Sequence, residues 1–158
     1  MAETLKDKLF YQKKTVYELC SDEVIDAAYA YAEDYKKFLD HAKTERDAVT
    51  ASEELAKNAC FRKYELGDKI EKGGKYYFIN RGKNIFLFRI GTEPIENGIR
   101  IAAAHIDSPR LDLKPCPLYE DGGLAMFKTH YYGGIRKYQW PTIPLAFRGV
   151  IVKADGTP

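Results

Sequence analysis

A helical period runs through the chain as far as Leu66 and is absent beyond it. That single change limits the fold to a mixed α/β architecture with its helices placed early. Val24, Ala28, Tyr31, Tyr35 and Phe38 are spaced by steps of four and three. This is one face of an α-helix over about Asp22 to Leu39. Ser21, Asp22 and Glu23 place polar and acidic groups where a helix N-terminus favours them. A second helix is expected from about Glu45 to Lys63. Thr44 is one candidate cap, and Thr50-Ala51-Ser52-Glu53 also fits a capping box, so the start stays open. Gly67-Asp68 closes the helical region.

From Lys75 the pattern belongs to strands. Tyr76 to Asn80 and Asn84 to Arg89 flank Arg81-Gly82-Lys83, a hairpin signal. Ile99 to Ala104 is a nearly continuous apolar run and predicts a strand covered on both faces that ends at His105. Leu124 to Tyr132 and Leu145 to Lys153 also read as strands, with Asp121-Gly122 as a turn. The chain therefore divides into an α/β part to about residue 112 and the beginning of an all-β part from 113. Val150 to Pro158 reads as a strand and a turn without a return strand, the pattern expected of a truncated chain.

Charge excludes some functions. With 25 basic and 23 acidic residues the net charge is +2, too small to steer nucleic acid. Lys36 and Lys37 sit beside Glu33 and Asp34, which makes a solvated helix face. No apolar run reaches the roughly 18 residues of a membrane span, and the N-terminus lacks a signal-peptide core. A cytoplasmic location with no membrane partner is expected. Cys20, Cys60 and Cys116 are odd in number and widely spaced, so they predict buried free thiols rather than a disulfide framework.

The residues that carry chemistry lie in Ala103-Ala104-His105-Ile106-Asp107-Ser108-Pro109. Ligands gather beyond the carboxyl ends of strands in open α/β sheets, and His105 stands at such an end. Asp107, two positions on, falls on the same side in extended backbone. A metal-bound imidazole commonly donates its other N–H to a carboxylate, and His-x-Asp supplies both groups. The competing reading is a structural histidine at a strand end. His41 reads as a surface residue, His130 as structural, and Cys116 as a packed thiol. Arg110 and Lys114 alternate with Leu111 and Leu113 as the polar face of a strand, and Gly133-Gly134 reads as a bulge or turn, not a phosphate loop.

The longer string Ala104 to Pro115 resembles the A-H-x-D-S-P…L…K-P segment of the aspartyl aminopeptidase (aminopeptidase I) family of zinc exopeptidases. Thr44 to Val49 and Tyr132-Gly133-Gly134-Ile135, followed by Trp140, Leu145 and Gly149-Val150, are also similar to that family. The form around His130 and Tyr138-Gln139-Trp140 is closest in kind to its bacterial branch. The resemblance implies two zinc ions on an α/β domain and a β-rich domain, inserted after the first ligand, that serves assembly into homo-oligomers. It implies that His105 is a zinc ligand and Asp107 the catalytic-site carboxylate that orients it. The reaction implied is removal of the N-terminal residue of a peptide, acidic for many members, with zinc polarising the carbonyl and activating a water.

The same resemblance calls for a bridging Asp, a Glu-Glu pair, another carboxylate and a final His, all expected beyond residue 158. The 158 residues alone are thus expected to be inactive and to bind zinc weakly, because a catalytic zinc wants three protein ligands. The alternative is a non-catalytic assembly or binding module, or a pseudo-enzyme of the same fold, whose aromatic segment Leu118 to Val152 forms an interface.

Overall fold

The computed structural model describes Leu5 and residues 9–157. They fall into two compact units, Met1–Asp40 and His41–Pro158.

The first unit holds a short helix α1 (Val16–Leu19) and most of α2 (Asp22–His41). The helix expected from the spacing of Val24, Ala28, Tyr31, Tyr35 and Phe38 is present and runs two residues beyond Leu39. Asp22 and Glu23 occupy its first turn, complementing the partial positive charge there. None of its residues is buried.

In the second unit α3 (Glu45–Asn58) carries most of the buried aliphatic surface through Ala48, Val49 and Ala56. Its start is settled at Thr44. The Thr44 Oγ1 accepts from the Asp47 backbone N–H, and the Thr44 N–H donates to Asp47 Oδ2, each at 3.2 Å. This reciprocal capping box satisfies two N–H groups that the helix itself leaves unpaired. Thr50, the other candidate, lies inside the helix with its hydroxyl on the Arg46 carbonyl.

The helix ends at Asn58, not near Lys63 as the sequence predicts. Cys60 takes φ 62°, and the N–H groups of Cys60 and Phe61 bond back to the carbonyls of Lys57 and Ala56. This is a Schellman closure made without glycine, which is why no sequence signal marks it. The released chain forms β1 (Arg62–Lys63), parallel to β2 (Lys75–Asn80).

The expected hairpin of β2 and β3 (Asn84–Arg89) is present, with Tyr77 opposite Leu87 and Phe78 opposite Phe86. Its turn places Arg81 and Gly82 at φ 54° and 64°, the two left-handed residues of a type I′ turn. Helix α3 packs on these strands. Tyr76 and Tyr77 are buried there, and Tyr64, Tyr76 and Phe88 form an aromatic cluster with ring separations of 5.5–6.3 Å.

A second sheet pairs β4 (Arg110–Asp121) with β5 (Leu124–Tyr132) around Gly122-Gly123. Pairing is regular from Arg110 opposite Tyr132 to Leu113 opposite Thr129, and resumes at Leu118 opposite Phe127. The intervening bulge holds Pro115-Cys116-Pro117, where two prolines lack ladder donors and Cys116 has φ 51°.

Three further expectations are corrected. Ile99 to Ala104 forms no strand, and Ile99 and Ile101 are 65% and 78% exposed. An apolar strand of that kind needs neighbours for its backbone groups, and among the described residues no strand lies beside it. Leu145 to Lys153 likewise forms no strand, for the same reason. The cysteines are free but not buried. Cys60 and Cys116 are exposed and both take positive φ, while Cys20 is half-buried, so none of the three thiols is packed in a core.

Candidate functional site

His105 and Asp107 come together although the strand expected to carry them is absent. His105 Nδ1 lies 2.8 Å from Asp107 Oδ1 and 3.2 Å from the Asp107 carbonyl oxygen. Both partners only accept, so Nδ1 carries the proton and donates. In the neutral ring the free lone pair is then on Nε2. The His105 side chain is 83% exposed, whereas Asp107 is 29% exposed. The imidazole is thus oriented from its inner edge and open at its outer edge.

The Tyr132 hydroxyl and then His105 hold the Asp107 carboxyl below its ordinary value, and the same contact pushes the Tyr132 phenol up. Tyr132 ends β5, directly opposite Arg110 at the start of β4. The Arg110 guanidinium lies 4.1 Å from the Tyr132 ring centroid, a cation–π contact. Arg110 Nε also donates to Asp112 at 2.8 Å, and its Nη1 stands 3.3 Å from Glu45 in the first turn of α3. Arg110 is therefore more than the polar face of a strand.

The chain bends sharply beside this group. Gly133 has φ +81°, and a Cβ there would come within 3.3 Å of the Pro109 Cα. The glycine pair does serve as a turn, and its close approach presses the end of β5 against the segment that carries Asp107.

The remaining candidates lie apart in role. His130 sits on β5 opposite Asp112 with its ring 5.3 Å from Tyr131. Together with Lys137 and Trp140 it lines a cleft of about 280 Å³ whose walls do not include His105 or Asp107. His41 is exposed at the end of α2. Lys114 is exposed beside the bulge. Among the described residues no group of three or more His, Cys, Asp or Glu side chains could hold a metal ion.

Sequence spacing exposed His105 and Asp107 but not Tyr132 or Glu45. Tyr132 is 22 positions from Arg110 and comes opposite it only through the hairpin register. The Gly-Gly pair after an aromatic strand was the available signal for that return.

The geometry is matched by relationship. A family model described as aminopeptidase I zinc metalloprotease (M18) matches residues 38–157. The chain belongs to this family. A probable M18 family aminopeptidase 1 of Clostridium acetobutylicum is 46% identical over 157 residues, 97% of this chain and 34% of that protein. The crystal structure of aminopeptidase I from Borrelia burgdorferi superposes with TM-score 0.83 at 37% identity, covering 91% of this chain and 36% of that one. Another solved structure, the S. cerevisiae mApe1 dodecamer, has TM-score 0.61 at 25% identity, over 70% of this chain and 27% of that one. The M18 chain described here thus spans about a third of the length of the relatives it matches.

Proposed function

We propose that this M18 chain supplies one wall of a zinc aminopeptidase site, with His105 as a zinc ligand through Nε2 and Asp107 as the carboxylate that orients it. The observation that carries the reading is the 2.8 Å contact that fixes the proton on Nδ1 while the rest of the ring stays exposed. A neutral imidazole nitrogen suits zinc, and a carboxylate on the other nitrogen raises its basicity. In the proposed reaction a peptide loses its N-terminal residue, acidic residues included. Two bound zinc ions supply Lewis acidity and a water of lowered pKa.

His105 holds one coordination position, and Asp107 keeps the ring aligned and its tautomer fixed. The proposed division places the catalytic part at 1–112 and an assembly part from 113 onward, with β4 passing between them. Among the described residues no further ligand cluster accompanies His105. In this reading the 158-residue chain by itself binds zinc weakly and releases no amino acid from peptides, because a catalytic zinc wants three protein ligands. The proposed cellular location is the cytoplasm, with neither nucleic acid nor a membrane as partner; among the described residues no helix is long and apolar enough to cross a membrane.

Assembly is the second part of the reading. Leu118, Leu124 and Phe127 on the β4–β5 hairpin are exposed, and Phe127 stacks on exposed Phe147 at 6.2 Å. An apolar surface of this kind favours a homo-oligomer over a solitary subunit. If the assembly module is the whole function, the hairpin associates and His105 is dispensable for any metal contact.

Equilibrium dialysis against zinc, with wild type and His105→Ala, separates the two readings. The metal-site reading expects weak zinc uptake that the substitution removes. Equal uptake by both chains would contradict it, and zinc-dependent release of an N-terminal residue from a reporter peptide by the 158-residue chain would contradict its inactivity.

A further inference from the structure

We infer that the Arg110–Glu45 ion pair is a positioning device for the His105 site, tying the segment that carries Asp107 to the first turn of α3. The inference rests on the reading of His105 as a zinc ligand.

The need for such a tie follows from local structure. His105 and Asp107 lie in a segment without helix or strand, so no backbone ladder fixes them. His105 Nδ1 faces two acceptors of one residue, the Asp107 Oδ1 at 2.8 Å and the Asp107 carbonyl oxygen at 3.2 Å. Any turn of the Asp107 backbone therefore moves both. The chain between Asp107 and β4 allows little such turning. Ser108 precedes a proline, which restricts it to extended backbone, and the Pro109 ring fixes its own φ. The setting of Asp107 is thus inherited from Arg110, where β4 begins.

Arg110 is held from several sides. Its backbone stands opposite Tyr132 in the ladder, and its guanidinium lies 4.1 Å from the Tyr132 ring centroid. Nε donates to Asp112 Oδ1 at 2.8 Å. Nη1 stands 3.3 Å from Glu45 Oε1 and 3.5 Å from the Ser108 carbonyl oxygen. Of these partners only Glu45 lies outside the hairpin and the segment that leads into it. Glu45 is therefore the contact that locates Asp107 relative to α3. It is well placed for this, as the first residue of α3, beside the Thr44–Asp47 capping box and ahead of buried Ala48 and Val49. The two side chains are 34% and 29% exposed, so the pair is partly sheltered from solvent. A planar guanidinium can serve several acceptors at once in fixed directions, which a lysine ammonium cannot.

The test uses the ¹⁵N-labelled 158-residue chain without metal at about pH 8, where an ordinary imidazole is neutral. The His105 tautomer is read from the shifts of Nδ1 and Nε2, and urea denaturation checks that each variant is folded. Wild type is expected to hold the proton on Nδ1. Glu45→Gln removes the charge from α3 but leaves Arg110 its hairpin contacts, and should move part of the proton to Nε2. Arg110→Gln should move more. Arg110→Lys keeps the charge without the planar fork and should fall between Arg110→Gln and wild type. Adding Glu45→Gln to Arg110→Gln should change nothing further, because the two residues act as one. Glu53→Gln, on the same helix but paired with Lys57 and Tyr77, should leave the tautomer unchanged. Zinc affinity, measured by dialysis with the metal alone, should fall in Glu45→Gln by less than about tenfold, the low end of what losing the orienting partner itself costs.

An unchanged tautomer in Glu45→Gln would overturn the inference, as would an equal shift in Glu53→Gln or additive shifts in the double variant. His105→Ala separates the two levels. If that variant takes up zinc as wild type does, the ligand reading itself fails. If it loses zinc while Glu45→Gln keeps the wild-type tautomer, the inference about Arg110 and Glu45 alone is lost.

Discussion

Arg148 Nη1 donates to Asp47 Oδ2 at 2.9 Å, joining residues 101 positions apart in the chain. The same carboxylate oxygen accepts from the Thr44 backbone N–H at the start of α3. One acid therefore caps the helix and anchors the last irregular segment of the unit. Asp47→Ala removes the carboxylate's half of the capping box and the Arg148 pair but leaves the Thr44 hydroxyl on the residue-47 N–H, and should destabilise the unit by about 1 kcal/mol. Arg148→Met removes only a partly exposed pair and should cost less than about 1 kcal/mol. Urea denaturation of the two variants measures the difference. Equal losses would mean that the cap contributes nothing beyond the ion pair.

Cys60 closes α3 in a conformation that disfavours every residue with a Cβ. Cys60→Gly should therefore raise stability by about 0.5–1 kcal/mol, seen as a higher thermal midpoint. Cys60→Ala retains the strain and should show no such gain.

Gly133 is expected to tolerate no side chain. Alanine there would hold a strained φ of +81° and press on the Pro109 backbone at 3.3 Å. Gly133→Ala should cost about 1–2 kcal/mol in chemical denaturation. Gly134 has nothing within 4 Å of an added Cβ, so Gly134→Ala is the matched control and should cost less.

Acid sensitivity should trace to Glu53. Lys57 and the Tyr77 hydroxyl, each at 2.9 Å, hold the Glu53 carboxyl below its ordinary value. A group depressed on folding contributes stability above its unfolded pKa, and that contribution is lost as pH falls through the folded value. Glu53→Gln should flatten the fall in stability through the carboxylate range by less than about 1 kcal/mol. Burial pushes the Tyr77 phenol up, so its contribution has the opposite sign and is lost as pH rises toward the phenol range. Tyr77→Phe should flatten the alkaline limb. Denaturation midpoints across pH for both variants check the two directions.

Local signals made much of this fold legible. The step of four and three from Val24 to Phe38 marked α2, and Arg81-Gly82-Lys83 and Asp121-Gly122 marked both hairpin turns. These features depend on residues a few positions apart. The end of α3 was hidden because a cysteine does the work that glycine usually does. Ile99 to Ala104 carried the composition of a buried strand, yet a strand exists only where partners receive its backbone groups. The site divides in the same way. His105 and Asp107 are two residues apart, and their contact was readable. Tyr132, Arg110 and Glu45 converge through strand register and helix packing, which one sequence does not display.

The most direct measurement of the central claim is a zinc titration of the ¹⁵N-histidine-labelled chain, followed at the ring nitrogens of His41, His105 and His130. The metal-site reading expects the Nε2 signal of His105 to shift in proportion to zinc while its Nδ1 stays protonated against Asp107. A response confined to His41 or His130, with His105 unmoved at saturating zinc, would contradict it.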